Sequence, residues 1–464
     1  MRPYHLENLS HDPIHGYIPF TSDASAEGGD GAERSLIDDP WIQRLRHIHQ
    51  LQSAWWVFPS AEHTRFPHVV GAMHLGSRAA DALYASLREV CGDCPSRGYV
   101  ECLLRIAGLL HDVGHGPFGH FFDEHFLRRF GETHETIGAR IVRERLAPSI
   151  ARIRRCPNSE LEPGERLDPE HVAWLIVRPR SGDEDRPVWL RFLRGLLSGI
   201  YTIDNLDFVL RDAYMSGYSQ RAFDLDRLLH YSFFSSRGLT IHDRGMDALI
   251  RFMGVRAELF RAIYFHRTVR AIDLALSDLF RESAHRLFPG NPADHLDAYL
   301  EFTESSLLVD VRRWRRSGDP ELFSLGQRWS ALLDRRCPWK LVCQRHLVFS
   351  EDDAEKSSIF SDSDMVAQLI RRQLPRETAD APLRVDIARH IFRPHTAGPS
   401  AGQNFMYDSA AGAIRPLIAN QLFRRLPVSY RICRVYGEST ELGAAVAAAL
   451  DGLLGGTPDD PTNM

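Results

Sequence analysis

The chain has 464 residues, 44% of them hydrophobic, with 56 Lys plus Arg against 61 Asp plus Glu and a formal net charge of −5. That is enough apolar material for two or three packed domains, and the charge balance argues against a generally basic nucleic-acid coat. No run of roughly 18 apolar residues occurs, so no membrane partner is expected; the N-terminal MRPYHLENLSHDPIHG has no apolar signal core, which points to a cytoplasmic protein.

In chain order, Asp23 to Glu33 (DASAEGGDGAE) reads as a loop, and a helical pattern starts at Asp39-Pro40, where proline suits the first turn. The spacing of apolar residues predicts helices over Val69–Leu87 and Gly98–His115, the second ending at Gly116-Pro117. Residues 157–170 and 179–187 are rich in proline and charge and read as surface connections. Helical patterns return over 189–217 and 245–288. After about 290 the β-prone pieces LVCQRHLVF, LRVDIARHIF and VSYRICRVYG appear among helical ones, with loops at 350–364 and 395–403 and a frayed tail GGTPDDPTNM. The expected architecture is mostly α, with a helical domain over 1–290 and a smaller α+β lobe over 291–464, regulatory or oligomerising.

Seven cysteines, an odd number scattered over a long chain, do not make a disulfide framework. Cys91 and Cys94 form a lone CxxC with Cys102 nearby; two thiolates do not close a tetrahedral zinc site. Lys340 and Lys356 are the only lysines, so a cation that grips phosphate here has to be arginine, with its planar fork. The run Arg312-Arg313-Trp314-Arg315-Arg316 reads as a solvated helix face rather than a nucleic-acid contact.

The most informative stretch is GLLHDVGHGPFGHFFDEHF. His111 and Asp112 are adjacent, and His115 lies four residues beyond His111, which on a helix is the same face. The apolar run before them anchors the helix, so the pair is carried to its inner end. Imidazole plus carboxylate suits a borderline or hard divalent ion, and two residues need partners from elsewhere. His68 in TRFPHVVGAMHLG and Asp204 in YTIDNLDFVLRDAY are the candidates.

The order His…His-Asp…Asp resembles the HD-domain phosphohydrolase superfamily, and within it the deoxynucleoside triphosphate triphosphohydrolase branch. The matching blocks are DPIHGYI (12–18), DPWIQRLRHIHQL (39–51), VFPSAEHTRFPHVVGAMHL (57–75), AGLLHDVGHGPFGHFFDEHF (107–126), THE (133–135), IDNLDFVLRDAYMSGY (203–218) and RAELFRAIYFHRTVRA (256–271). The C-terminal lobe is similar only through RRCPWKLV and RICRVY. The resemblance implies an HD-domain helical bundle with metal ligands at His68, His111, Asp112 and Asp204, and catalytic histidines at His115 and His134 with His120 and Asp123 as orienting or proton-relay groups. It implies phosphate contacts from Arg65 and Arg256, deoxyribose contacts from Gln50 and Leu51, a 3′-hydroxyl contact from Asp212 and sugar stacking on Tyr264. The implied reaction is attack of water on the α-phosphorus, releasing deoxynucleoside and intact triphosphate. The cofactor is a divalent ion, Mn, Fe, Mg or Zn, and the partners are a nucleotide substrate and further copies of the chain in a dimer or tetramer.

Two positions depart from the branch. Asn205 stands where a phosphate-touching lysine is usual, and Phe208 where a tyrosine is. The mammalian member is a tetramer activated by a guanine nucleotide; Asp38, Gln43 and Arg46 match that second nucleotide site, whereas Asn8 replaces its lysine. Two other readings stay open: a phosphohydrolase acting on a nucleoside monophosphate or alarmone, and a non-catalytic regulator that binds nucleotide or nucleic acid.

Overall fold

A computed structural model of the chain describes residues 4–22, 30–178, 185–349, 359–391, 404–427 and 429–454. The loops expected at 23–33, 179–187, 350–364 and 395–403 lie wholly or partly outside these residues, as does the tail from 455. The described chain is mostly helical and divides into two units. One comprises Met1–Leu259, Ala284–Val309 and Thr396–Phe423; the other comprises Phe260–Ser283, Asp310–His395 and Arg424–Met464. The units interleave along the sequence, which differs from a single boundary at 290. One reason is strand pairing: Asn404–Asp408 lies parallel to Gly238–His242, so a late segment returns to the first unit.

The first unit begins with a hairpin of β1 (Glu7–Asp12) and β2 (Gly16–Thr21), Asp12 facing Gly16 across the turn. Its centre is α1 (Arg65–Val90) packed against α2 (Arg97–Leu110). Ser96 starts α2 by accepting the Tyr99 amide, and the helix is buried on all sides from Gly98 onward, as its nearly continuous apolar sequence requires. The two helices meet backbone to backbone. A Cβ added at Gly108 would stand 2.7 Å from the Ala72 carbonyl oxygen, and one at Gly76 2.8 Å from the Leu104 carbonyl. Only glycine fits at either point. The pairing of 72 with 108 and 76 with 104 runs antiparallel, so one turn earlier on α1 brings position 68 opposite 112. The glycine crossing thereby sets the distance between His68 and the His111-Asp112 pair.

Two buried charges stiffen this centre. Arg105 of α2 donates to Glu33 (Nη2 to Oε2, 2.8 Å), Ser77 Oγ (2.8 Å) and the Pro19 carbonyl (3.0 Å). Glu101 accepts from Ser77, Asn158 and Ser159. Buried ions of this kind are tolerated because each polar atom has a partner. α4 (Ile203–Met215) packs on α1 and α5 (Met246–Leu259) on α4, while α3 (His134–Ile141) lies against the turn that follows α2. Between α4 and α5 lies a hairpin, β3 (Ser232–Ser235) and β4 (Gly238–His242), extended by Asn404–Asp408 and Ala413–Pro416 into one sheet. β3 and β4 lie between the helical patterns read at 189–217 and 245–288, within the domain expected to be helical.

The second unit contains the strands expected from sequence. Ser429–Gly437 lies between Lys340–Phe349 and Leu383–Ile391, antiparallel to both. Helices Ser363–Gln373 and Gly443–Leu454 complete its core, where Val366, Ile370, Val446 and Leu450 pack with Cys433 and Val435 of the central strand. No helix among the described residues is long and apolar enough to cross a membrane.

Candidate metal centre and its surroundings

His111 does not continue α2. The helix ends at Leu110, and residues 111–114 form a turn in which the His115 amide donates to the Asp112 carbonyl at 3.0 Å. The expected helix through His115, with His111 and His115 sharing a face, is corrected here. The cause is Gly114, where a Cβ would collide with the His134 carbonyl oxygen and the Gly138 amide at the start of α3. The chain turns under α3 at that point, and His115 reaches the site from the turn.

His68 near the start of α1, His111 and Asp112 on the turn, and Asp204 in the first turn of α4 converge. His68 Nε2 lies 3.2 Å from His111 Nε2, 3.2 Å from Asp204 Oδ1 and 3.8 Å from Asp112 Oδ2. His111 Nε2 is 3.3 Å from Asp112 Oδ1 and 3.6 Å from Asp204 Oδ1. The other ring nitrogens fix the tautomers. His68 Nδ1 lies 2.8 Å from Asp207 Oδ2 and His111 Nδ1 2.8 Å from the Gly108 carbonyl, both acceptors only, so each Nδ1 carries the hydrogen. The two Nε2 lone pairs therefore face each other and two carboxylates. Four electron-rich donors this close fit a divalent cation between them, and the N/O set suits Mn, Fe, Mg or Zn. A proton relieves the same crowding: burial pushes His68 down, but bonds from Asp204 and Asp207 raise it to about 10. His111 is likewise raised against its burial, by Asp112 and Asp204. Asp112 and Asp204 are held below the usual carboxylate range against burial, by the nearby histidines and, for Asp112, by Arg65 as well.

A second cluster adjoins the first. His115 is fully buried, and its ring stacks on that of His134 at 3.7 Å and 11°. His134 Nδ1 bonds Asp123 Oδ2, which also lies 3.4 Å from His120 Nδ1. The His120 side chain is 61% exposed, so it stands at the mouth of the cluster. His115 Nε2 is 3.3 Å from Asp112 Oδ1 without a hydrogen bond's alignment, and among the described residues neither of its ring nitrogens has a hydrogen-bond partner. Burial, then the positions of Arg65 and His134, hold His115 well below the usual imidazole range, which disfavours its charged form. The four residues could themselves hold a metal ion, as could His68, His111 and Asp112.

The remaining sequence candidates are placed as follows. Arg65 is buried and donates to Asp112 at 2.5 Å; its Nε has no partner among the described residues. Arg256 donates to the Ile200 carbonyl at 3.1 Å, and burial lowers it to about 10 against the charge of Asp204. Gln50 Oε1 is buried with no partner among the described residues, and Leu51 is buried. Asp212 lies 2.8 Å from His63 Nε2, both buried. The Asn205 amide is taken by the Thr202 cap, and Phe208 is partly buried. Tyr264 belongs to the second unit, where its ring packs edge-on against Phe260 at 4.7 Å. Of the second-nucleotide candidates, Gln43 donates to the Ile37 carbonyl and accepts from Arg46, both at 2.7 Å; the Arg46 guanidinium lies 3.6 Å over the Phe66 ring, and Asp38 pairs with Arg34. Asn8 lies on β1.

Sequence reasoning missed the support of His68. Asp207, fully buried, bonds His68 on one oxygen and His15 Nε2 at 2.7 Å on the other; Arg211 grips both oxygens at 2.8 and 2.9 Å and reaches Asp12 at 2.8 Å. The signal was present as an Asp207/Arg211 pair at i,i+4 and as the DPIHG block, which supplies Asp12 and His15. Arg44 and Glu304 were also missed.

Comparison with known proteins sets this geometry in context. Residues 65–177 match the HD domain family. The chain is 26% identical over 337 residues to the uncharacterized protein YwfO of Bacillus subtilis, covering 70% of each. It is 29% identical over 248 residues to the uncharacterized protein MJ1154 of Methanocaldococcus jannaschii, covering 53% of this chain and 45% of that one. It is 26% identical over 474 residues to the deoxynucleoside triphosphate triphosphohydrolase SAMHD1 of Bos taurus, covering 94% of this chain and 76% of that one. The crystal structure of a hypothetical protein from Aquifex aeolicus shares the fold, with a TM-score of 0.67 at 21% identity over 96% of this chain and all of that one.

Proposed function

We propose that this chain, an HD-domain phosphohydrolase, hydrolyses deoxynucleoside triphosphates to deoxynucleoside and triphosphate. The observation that carries the reading is the meeting of two imidazole lone pairs and two carboxylates at one point, beside a buried arginine. The similarity to triphosphohydrolases supports the choice of substrate.

His68, His111, Asp112 and Asp204 would hold the ion. A divalent cation bound there supplies Lewis-acid charge to a phosphoryl oxygen and a lowered pKa for water. The chain's own residues do the rest. Arg65 offsets the charge of Asp112, and with Arg256 it sets positive charge beside the donor cluster, where a polyphosphate needs it. His115, whose charged form burial disfavours, faces a reacting phosphoryl oxygen with ring nitrogens that have no partner among the described residues. Asp123 fixes the tautomer of His134 and steadies His120, and this group delivers the proton to the leaving 5′-oxygen, a role worth about 10² to 10⁴ in rate. Gln50 and Leu51 close the space around C2′, and Asp212, held by His63, takes the 3′-hydroxyl. Asn205 adds no charge where a lysine would, which favours as a second reading a nucleotide with fewer phosphates. Association into a dimer or tetramer, with Asp38, Gln43 and Arg46 binding an activating nucleotide, belongs to the same proposal.

The test is chelated protein reloaded with Mn²⁺ and given each dNTP, with and without GTP, with the phosphate product identified. Intact triphosphate plus deoxynucleoside is expected. Release of orthophosphate or pyrophosphate, or turnover of monophosphates alone, would overturn the reading.

A further inference from the structure

We propose that Glu304, acting with Tyr299 and Arg44, is a positioning brace for the turn that presents His115. The geometry of the proton-handling cluster is then set by residues outside the HD-matching stretch. The proposal rests on the role given to His115 above.

The contacts fall on main-chain groups of the segment 114–118, on both sides of His115. The Tyr299 hydroxyl donates to the Gly114 carbonyl at 2.9 Å. Arg44 donates through Nη1 to the His115 carbonyl at 2.5 Å, and through Nε and Nη2 to the carbonyls of Tyr299 and Phe302 at 3.0 and 2.7 Å. Glu304 Oε2 accepts the Phe118 amide at 3.3 Å. Arg44 and Glu304 are both buried, at 3% and 0% exposure. A buried cation and a buried carboxylate normally neutralise each other. Here each is given over to main-chain and ring groups of separate segments, and burial holds Arg44 below the usual guanidinium range.

Glu304 does more than hold Phe118. Its Oε1 lies 2.9 Å from His49 Nδ1 and accepts Trp55 Nε1 at 3.0 Å, and its Oε2 accepts the His49 amide at 3.3 Å. His49 stacks on Trp55 at 4.0 Å. One carboxylate therefore ties the turn after His115 to the segment carrying Gln50 and Leu51. The turn needs holding: Phe118 sits at φ +62° and Gly119 at φ +57°. A left-handed backbone is costly for a bulky side chain and persists only where the surroundings over-determine it.

Tyr299→Phe deletes one hydroxyl. Glu304→Gln keeps the shape but turns an amide NH₂ toward N–H donors. For each variant three quantities are measured: kcat and KM on the phosphoester the wild type turns over, Mn²⁺ affinity, and deuterium uptake of a peptide spanning 114–119. Displacement of a catalytic group by a fraction of an ångström predicts kcat lower by about 10- to 100-fold in Glu304→Gln, with KM and Mn²⁺ affinity within about twofold. Uptake rises in 114–119 and stays unchanged in α1. Unchanged uptake with unchanged kcat overturns the brace. So does a loss of Mn²⁺ affinity in step with kcat, which would mark general loosening. A wild type inactive on every dNTP refutes the substrate reading alone, because the uptake measurement still decides the brace. If Glu304→Gln does not fold, Tyr299→Phe decides by the same readouts.

Discussion

Asp207→Asn is the substitution that most directly tests the centre. Asp207 touches no proposed substrate group, yet it bonds His68 Nδ1 at 2.8 Å, His15 at 2.7 Å and Arg211 at 2.8 and 2.9 Å, with no exposure to solvent. Asparagine keeps the volume. It turns an NH₂ toward at least one of these donors and removes the charge that holds His68 Nε2 as a lone pair. Partners of metal-binding histidines that lie one bond back from the ion are worth about 10- to 100-fold in metal affinity, or about 1.4 to 2.7 kcal/mol. The assay is calorimetric or fluorescence-monitored Mn²⁺ titration of chelated protein, with circular dichroism to confirm folding. Apparent affinity should fall within that range, and activity should recover at high Mn²⁺. A folded variant that binds Mn²⁺ as tightly as the wild type would refute the reasoning, because the Nε2 lone pair of His68 would then not depend on its carboxylate.

Three further outcomes are expected. His111→Ala with Asp112→Ala should abolish Mn²⁺ binding and turnover while leaving the helical circular dichroism intact; an unfolded double variant would mark the pair as structural. Gly108→Ala places a Cβ 2.7 Å from the Ala72 carbonyl, and overpacking of this kind costs about 1 to 3 kcal/mol. Its melting temperature and Mn²⁺ affinity should drop together, and a normal melting temperature would show that the crossing yields. His74 is pushed down to about 4 by burial, then by His15, Arg105 and Arg78. The unfolded chain therefore binds its proton first, and stability falls as pH drops from about 6.5 to about 4, by about 2 to 3 kcal/mol after discounting partial exposure. Denaturant titrations at several pH values should show this slope flattened in His74→Gln; matching slopes would exclude His74 as the cause.

Much of the site was legible because its parts are local and periodic. The apolar spacing of Val69–Leu87 lies within the observed Arg65–Val90, and the β-prone pieces of the second unit correspond to strands at Lys340–Phe349, Leu383–Ile391 and Ser429–Gly437. What stayed hidden depends on contacts distant in sequence. The end of α2 at Leu110 rather than His115 follows from the approach of α3 to Gly114, invisible in apolar periodicity. The strands Ser232–Ser235 and Gly238–His242 gain their partner from Asn404–Asp408. Arg44 reads as one more charge on a short helix until Tyr299 and Phe302 arrive, 255 and 258 residues later. Asp207 carries no sequence signal of its own role, because its partners His15 and His68 lie on other elements.

The close approach of Gly76 to Leu104 and of Gly108 to Ala72 carries a longer consequence. A helix interface built from leucines relaxes when one of them changes, because rotamers and small rigid-body shifts absorb the difference. Main chain lying directly on main chain has no such freedom. In this chain the spacing of His68 from the His111-Asp112 pair holds so long as two hydrogen atoms, one on each helix, are not replaced by carbon.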